Sequence, residues 1–304
     1  MDTPPSSASL PRWGQARRLA FIDLRLQYDG RINRTDLTTF FDVSAPQASA
    51  DFGLYQELAK GNMTYDARAK AYLASPRFRP QFGQASASSY LDELNRLACG
   101  VVAREDSFVG YVPPTGIVGT PARQISSSEV AKWVQAIRDK RAMAAEYQSM
   151  EHDTPLRLTL TPHAIGFDGL RWHVRAWCHS RQIFRDFAIG RLIVTDEKVE
   201  APYVDPKTDA RWEKEVTVVL VPHPLLSPSQ RRVVMKDYGM NDEQLLLSCR
   251  QAMLFYTLRH LNLLSLKVES DPARQHVVVH NPLEVQLWLK QERTYASGTA
   301  PAKN

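Results

Sequence analysis

One stretch of the chain, from residue 155 to residue 192, contains six arginines and no lysine. The same stretch carries His163, His173 and His179 and only two acidic residues. An arginine guanidinium holds a phosphate or a carboxylate with two parallel hydrogen bonds, a geometry that the ammonium group of lysine lacks. The stretch therefore predicts a site for an anionic ligand, although arginines on an ordinary solvated strand face would give the same composition.

Alternating apolar and polar residues indicate that this stretch is a small antiparallel sheet. Turn signals at 167–169 and 179–182 divide it into three strands, and Asp168-Gly169 is a strong hairpin signal. On an unbroken second strand His173 and Arg175 share one face, and Trp172 points to the opposite face, towards the core. By this geometry His173 and Arg175 can meet one ligand, and Trp172 ranks below His173 as a site residue.

The first part of the chain predicts a winged helix-turn-helix. A helix over 15–29 is followed by a short helix capped by Thr35. After a turn at Val43-Ser44 comes a second helix, capped by Ser44 and with Pro46 in its first turn. Two strands, 63–65 and 71–74, would then form the wing. This layout is typical of DNA-binding proteins.

Five residues of this region are candidates for DNA contact. Glutamine bonds adenine with two hydrogen bonds, serine meets several base edges, and basic residues at a wing tip contact phosphates. The candidates are Ser44, Gln47 and Ser49 on the second helix, and Arg68 and Lys70 on the wing.

The pattern predicts an α+β multidomain chain with three folded parts and a connecting segment. These are a DNA-binding domain over 1–95, a linker with one helix over 96–139, a central β-rich domain over 140–213 and a small α+β domain over 214–295. The charged, proline-containing segment 196–214 is interpreted as a boundary. Residues 1–12 and 296–304 are expected to be disordered tails.

Composition narrows the classes of function. The chain has 304 residues, a net charge of +5 and a pI near 9.1, which suits several domains and allows a nucleic-acid partner. Its three cysteines form no CxxC pair, which suits a reducing compartment. No apolar run is long enough for a membrane span, so the protein is expected in the cytoplasm. Walker A, GxGxxG, HExxH and GxSxG motifs are absent, so the expectation is no catalytic residue, no metal and no cofactor.

Two segments carry a family resemblance. RWHVRAWC at 171–178 and FRDFAIGRL at 184–192 resemble the WYL domain, with Trp172-His173-Val174 in the place of the naming tripeptide. PHAIGFDGLRWHVRAWC and HPLLSPSQRRVVMKDYGM are most similar to the BrxR- and CapW-type repressors found beside phage-defence operons. The chain is thus identified as resembling WYL-type transcriptional regulators over nearly its whole length.

The resemblance implies an Sm-like or SH3-like WYL β-barrel, a homodimer built by the C-terminal domain, and operator binding at an inverted repeat. It also implies control by a nucleotide or single-stranded nucleic-acid effector. The effector-facing residues it implies are His163, Trp172, His173, Arg175, Arg185 and Arg191. The alternative is a nucleic-acid-processing or accessory defence enzyme that uses the arginine-rich barrel as a substrate platform.

Overall fold

The computed structural model describes residues 13–83, 86–119, 121, 124–150, 152–195 and 199–296, the last six by their backbone alone. The tails predicted to be disordered lie outside these residues, except for Ala296, which is the last residue of a helix. The chain divides into two compact units, 1–120 and 121–304. Among the described residues, no helix combines the length and apolarity needed to cross a bilayer.

The first unit is a winged helix-turn-helix followed by an additional helix. Its elements are α1 (Trp13–Asp29), β1 (Arg31–Ile32), α2 (Arg34–Phe41), α3 (Ala45–Leu58), β2 (Met63–Asp66), β3 (Ala71–Ala74) and α4 (Ala87–Ala98). The three strands form an antiparallel sheet in the order β1-β3-β2. The predicted helix pair and both wing strands are confirmed, whereas the two-residue strand β1 was not predicted.

Side-chain caps set the start of both helices of the motif. Ser44 caps α3 as predicted, because its hydroxyl accepts a hydrogen bond from the Gln47 N–H. The cap predicted at Thr35 is wrong. Asn33 and Asp36 form a reciprocal capping box two residues earlier, which satisfies two backbone N–H groups at once.

A buried carboxylate joins the elements of the first unit. Asp23 on α1 is fully buried and accepts hydrogen bonds from the Tyr55 hydroxyl and from the backbone N–H groups of Gln81 and Phe82. Its burial raises the pKa of this carboxyl above the ordinary value, against the opposing effect of these hydrogen bonds. Asp23 thus ties α1 both to α3 and to the segment that follows the wing.

The second unit begins with a helix and a curled five-stranded sheet. Helix α5 (Ser127–Arg138) precedes β4 (Met143–Tyr147), β5 (Leu156–Phe167), β6 (Trp172–Cys178), β7 (Ile183–Ala188) and β8 (Leu192–Val194). The hydrogen-bonded order is β7-β6-β5-β4-β8, antiparallel throughout. Strands β7 and β8 are at opposite edges, yet only the short turn Ile189–Arg191 separates them. The sheet must therefore curl into a partly open barrel.

The rest of the second unit is a smaller α+β layer. It contains α6 (Ala210–Glu213), β9 (Glu215–Pro222), α7 (Pro228–Asp237), β10 (Leu245–Arg250), α8 (Leu254–His260), β11 (Val277–Val279) and α9 (Pro282–Ala296). Its antiparallel sheet has the order β10-β9-β11, and alternate residues of β9 are buried beneath the helices. A three-residue 3-10 turn, Gln251–Met253, leads into α8.

Candidate nucleic-acid interface and effector pocket

The start of α3 presents polar side chains to solvent. Ser44, Gln47 and Ser49 are all exposed, and Asp42 makes the turn before the helix with a left-handed backbone, at φ 50°. Helix α3 packs on α1 and α2 through Ala48, Phe52 and Tyr55, which lie on its other side. The structure therefore places the three predicted base-contacting residues where a recognition helix presents them.

Arg34, which no sequence motif marked, lies beside these residues. The Ser49 hydroxyl donates to the Ala45 carbonyl at 3.0 Å, and Arg34 Nη1 donates to Ser49 Oγ at 3.3 Å. Arg34 is exposed at the start of α2. It adds a positive charge next to the first turns of α3, where a DNA phosphate would be attracted.

The wing tip is a tight turn organised by one carboxylate. Asp66 Oδ1 accepts hydrogen bonds from the backbone N–H groups of Arg68 and Ala69, at 2.8 and 2.9 Å. Lys70 completes the turn with a left-handed backbone, at φ 50°. The side chains of Arg68 and Lys70 are exposed, so both are free to approach a phosphate backbone.

In the second unit, Arg175 is part of a buried ion-pair network. Its guanidinium is 2% exposed and makes two hydrogen bonds to Asp209, at 2.7 and 2.9 Å, and one to Asp186 at 3.2 Å. Burial alone would lower the pKa of the guanidinium, but the hydrogen bonds to Asp209 and the charge of Asp186 raise it. Arg175 is therefore fully occupied by internal carboxylates.

His163 reaches the same carboxylate because of a β-bulge. The register between β5 and β6 shifts between Pro162 and Ala164, and His163 is the residue at the shift. A bulge re-aims the side chain it contains, and His163 Nε2 donates to Asp209 Oδ2 at 3.0 Å. Burial would raise the pKa of Asp209, but the hydrogen bonds from His163 and Arg175 lower it well below its ordinary value.

His173 belongs to a second buried cluster, at the β5–β6 hairpin. His173 Nε2 donates to Asp168 Oδ2 at 3.0 Å, and Arg259 from α8 donates to the same oxygen at 2.7 Å. The Tyr256 ring of α8 lies over the imidazole, with the two ring centroids 5.2 Å apart. The network covers the face of β6 on which an open ligand site was predicted.

Three other arginines, together with Asp186, line an open pocket at the sheet. Cross-strand pairs share a face, and Arg185 is paired with Ala176 whereas Asp186 is paired with Arg175. Arg185 thus lies on the face away from Arg175. With Arg181 and Arg191 it lines a pocket of about 180 Å³. Within the described part of the chain, none of these three arginines is ion-paired with a carboxylate.

Trp172 is exposed beside a second concave surface. Its side chain is 48% exposed, and its ring packs against Phe167 with 4.7 Å between the ring centroids. Trp172, Arg171 and Arg191 line a pocket of about 290 Å³. Arg191 is common to both pockets, so an anionic ligand bound to it would also be close to an exposed aromatic ring.

No group of three or more histidine, cysteine, aspartate or glutamate side chains among the described residues has a geometry that would hold a metal ion. The structure therefore adds no metal candidate to the arginine-lined pockets.

Family models match three parts of the chain. Residues 14–96 match the BrxR transcriptional regulator winged helix-turn-helix domain, and residues 130–194 match the WYL domain. Residues 215–285 match the BrxR transcriptional regulator C-terminal dimerization domain.

Relatives of known function extend over almost the whole chain. A DNA-binding transcriptional repressor CapW from Stenotrophomonas maltophilia is 60% identical over 95% of this chain and 96% of its own length. The protein of the same name from Pseudomonas aeruginosa is 40% identical over 92% of this chain and 90% of its own. The protein of the same name from Escherichia coli strain KTE188 is 38% identical over 92% of this chain and 93% of its own length. The chain belongs to the CapW family of transcriptional repressors.

Membership of the CapW family decides between the two functional classes left open by the sequence. The relatives are DNA-binding repressors with regulator domains, so the chain is a regulator, and the enzyme alternative is wrong. The predicted order of a winged helix, a WYL domain and a C-terminal domain is confirmed.

Two site predictions for this CapW-family chain need correction. Arg175, His173 and His163 were predicted to face an effector, but each of them donates to a carboxylate inside the unit, Asp209, Asp186 or Asp168. This error arises because alternation on one strand does not reveal which face a later segment of the chain will cover. Trp172 was predicted by alternation to face the core, but it is the first residue of β6 and is exposed.

The residues that the sequence analysis missed come from distant segments. Asp209 lies in the stretch interpreted as a boundary, 34 residues from Arg175. Arg259 is 91 residues from its partner Asp168. Arg181 was counted in the arginine-rich stretch but was not selected, and its place in the turn after β6 was the available signal. Arg185 and Arg191, which were selected, do line one pocket.

Proposed function

We propose that this protein is a homodimeric repressor of a phage-defence operon, released from its operator when a nucleotide or single-stranded nucleic acid binds to the WYL domain. DNA recognition is assigned to Gln47 and its neighbours on α3, with Arg68 and Lys70 on the wing. The effector is assigned to the pocket of Arg181, Arg185 and Arg191. The observation that carries the proposal is a recognition helix and an arginine-lined pocket in a chain of the CapW family.

The DNA-binding part of the proposal is tested by separating base contacts from phosphate contacts. In vitro selection from random duplexes with the full-length protein gives the preferred operator. Gln47→Ala should lose preference at one base position in each half-site, at a cost of about 1–3 kcal/mol. Arg68→Ala should instead weaken binding to all sequences and reduce the salt dependence of binding. Unchanged base preference in Gln47→Ala would show that another residue reads the DNA.

Dimerisation is supported by exposed apolar residues of the C-terminal part. Leu283 and Leu287 lie one turn apart on α9 and are 76% and 60% exposed, within and just beyond the residues that match the dimerization domain model. The dimer would then bind the two equivalent half-sites of an inverted repeat at the same time. Because the binding energies of the two half-sites add, its specificity exceeds that of one winged helix.

The dimer is tested by light scattering of the full-length protein over a range of concentrations. A Leu283→Glu, Leu287→Glu double variant should shift the protein towards monomer, because burying two carboxylates at an apolar interface is costly. Leu91→Glu on α4, also at an exposed leucine, is the matched control. A double variant that remains as dimeric as the control would place the interface elsewhere.

Effector binding is supported by charge and by the exposed ring. Three guanidinium groups around one pocket favour a ligand with more than one phosphate, and Trp172 offers a surface on which a base can stack. An effector that binds the DNA-free repressor more tightly than the DNA-bound repressor would reduce operator affinity. The size of the reduction equals the ratio of the effector's affinities for these two states.

The effector is tested by calorimetric titration of short single-stranded oligonucleotides and of mononucleotides. Arg185→Ala and Arg191→Ala should weaken oligonucleotide binding and the resulting release of operator, and both should still bind operator. Arg157→Ala is the control, because Arg157 has a side chain that is 75% exposed, beside Glu146 on the outside of the sheet. If both pocket variants respond like the wild type, the pocket arginines are only a solvated surface.

The link to phage defence has its own test. Fragmented genomic DNA is captured with the purified protein, and the recovered operator is used to drive a reporter gene. The proposal requires that the recovered site lies upstream of a defence operon and that deleting the repressor raises expression from it.

A further inference from the structure

A buried acid lies one helical turn behind the predicted base-reading residue. Asp51 on α3 is fully buried, in contrast to the exposed Gln47 four residues before it. Residues four apart on a helix lie on the same face. A buried carboxylate requires charged or hydrogen-bonding partners, so the partners of Asp51 show what it does.

Asp51 has two side-chain partners among the described residues, one from another helix and one from its own. Arg18 of α1 donates through Nε to Asp51 Oδ2 at 2.6 Å and through Nη2 to Oδ1 at 3.2 Å. Gln47 Nε2 donates to the same Oδ1 at 3.2 Å. Arg18 thus holds the carboxylate in place, and the carboxylate holds the amide of Gln47.

The chemistry of this contact determines which way the amide faces. An ionised carboxylate only accepts hydrogen bonds, and in an amide group only the nitrogen donates. The nitrogen of Gln47 must therefore face Asp51. One N–H is used by this bond, which leaves the second N–H and the carbonyl Oε1 for a ligand.

We infer that Asp51, braced by Arg18, is a positioning residue that sets the base preference of Gln47. The remaining donor and acceptor match the acceptor N7 and the donor N6 amino group on the major-groove edge of adenine. A freely rotating amide also presents its NH₂ group outward, where it suits the acceptors N7 and O6 of guanine. This inference rests on the proposed function, because it assumes that Gln47 reads a base.

A merely structural role for Asp51 predicts a different outcome. If the carboxylate only anchors Arg18 to α3, its loss would destabilise the first unit and weaken binding to every sequence alike. A change of preference at a single base position is expected only when the amide of Gln47 itself is released.

The substitution Asp51→Asn tests the inference with little change in size. The side chain of asparagine has only one oxygen, and this oxygen would accept the hydrogen bonds of Arg18. The NH₂ group of the asparagine would then face Gln47. Two facing NH₂ groups repel, so the amide of Gln47 should turn and present its nitrogen outward. We expect adenine preference at the position read by Gln47 to fall by about five-fold or more, with a gain for guanine.

The experiment compares full-length wild type, Asp51→Asn, Gln47→Ala and Asp23→Asn by in vitro selection from one random duplex library. Asp23→Asn is the matched control, since Asp23 is an equally buried carboxylate of the same unit with no contact to Gln47. Thermal unfolding is measured for all four proteins. The control should lose stability with its base preference intact.

The outcomes separate the inference from the proposed function. If Gln47→Ala changes the preference and Asp51→Asn does not, base reading by Gln47 stands and the positioning role is overturned. If Gln47→Ala has no effect, the proposed base contact fails, and the positioning role fails with it.

A measurement on the wild type alone covers the case in which Asp51→Asn does not fold. Selective ¹⁵N labelling of glutamine, with Gln47→Ala for assignment, resolves the two amide protons of Gln47 by NMR. One proton bonded to a carboxylate should be shifted downfield and should exchange slowly with solvent. Two protons that behave like those of an exposed glutamine such as Gln56 would overturn the inference.

Discussion

Replacing Arg175 should lower the stability of the second unit rather than abolish effector binding. Arg175→Met removes the guanidinium and keeps most of the apolar stem. Asp209 and Asp186 then remain in the protein interior without their cation. Asp209 would keep neutral hydrogen-bond donors only, His163 Nε2 and the Trp212 N–H, and Asp186 would keep the Tyr256 hydroxyl at 3.4 Å.

The size of the effect follows from the burial of the pair. Arg175 and Asp209 both have side chains that are 2% exposed, so solvent does not compensate for the lost partner. Removing one member of a buried ion pair costs about 3–5 kcal/mol. For a unit of this size, each kcal/mol lowers the Tm by roughly 2–4 °C, which gives a decrease of roughly 6–20 °C.

The assay is thermal and urea unfolding of the full-length protein followed by circular dichroism, with Arg157→Met as control. Arg157 lies 3.5 Å from Glu146 and its side chain is 75% exposed, so its replacement should cost at most about 1 kcal/mol. Asp209→Asn and the double variant complete a double-mutant cycle. The double variant should lose less stability than the two single losses together, because each single change leaves a buried charge uncompensated.

The reasoning is refuted if Arg175→Met unfolds at the same midpoint as Arg157→Met. Loss of oligonucleotide binding at unchanged stability would also refute it, and would restore Arg175 as an effector ligand. In contrast, Arg185→Met replaces a pocket arginine that has no ion pair among the described residues, so it should weaken ligand binding far more than it lowers the Tm.

Three further predictions concern acid stability, a buried hydroxyl and a turn. Burial would raise the pKa of Asp168, but hydrogen bonds from the Leu170 N–H, the His173 side chain and the Arg171 N–H lower it from 3.8 to about 2. The pKa of Asp168 is lower in the folded protein than in the unfolded chain. Above pH ~4 Asp168 therefore adds about 2 kcal/mol to the free energy of unfolding, and this contribution is lost as the pH falls towards 2. Urea midpoints should therefore fall less steeply over this range in Asp168→Asn than in the wild type, and parallel curves would contradict this. Tyr55→Phe removes a hydroxyl that donates to the buried Asp23 and should cost about 1–3 kcal/mol by urea unfolding; an unchanged midpoint would mean that water replaces the hydroxyl. Gly169 has φ 89°, and an added Cβ would lie 2.6 Å from His260 Nδ1, so Gly169→Ala should cost at least about 1–2 kcal/mol. Gly116→Ala, at an open position without positive φ, should be nearly neutral, and equal Tm values for the two variants would contradict the argument.

Local signals predicted the elements of this protein well. The Ser44 cap with Pro46 behind it marked the start of α3, and the alternating residues of 156–188 marked three strands of the sheet. These signals act between residues a few positions apart, through caps, turns and strand period. The misplaced cap at Thr35 shows their limit, since Asn33 offers the same chemistry and forms the better capping box with Asp36.

The choice between the two faces of β6 was not available from such signals. One face carries Val174, Ala176 and Cys178 and the other carries His173 and Arg175, and both are buried. The polar face is covered by Asp209 and by α8, which approach from later parts of the chain. An arginine on a strand looks the same in sequence whether it faces a ligand or a buried aspartate.

Motifs and local patterns were enough to predict a winged-helix, WYL-type regulator with an arginine-rich central sheet. Which of these arginines are paired with internal carboxylates became visible only in the folded chain. Arg175 is neutralised by Asp209 and Asp186, whereas Arg181, Arg185 and Arg191 line a pocket and make no ion pair with a carboxylate of the described residues. The physical reason is that charge compensation depends on distance in space, and the compensating carboxylate Asp209 lies 34 residues away along the chain.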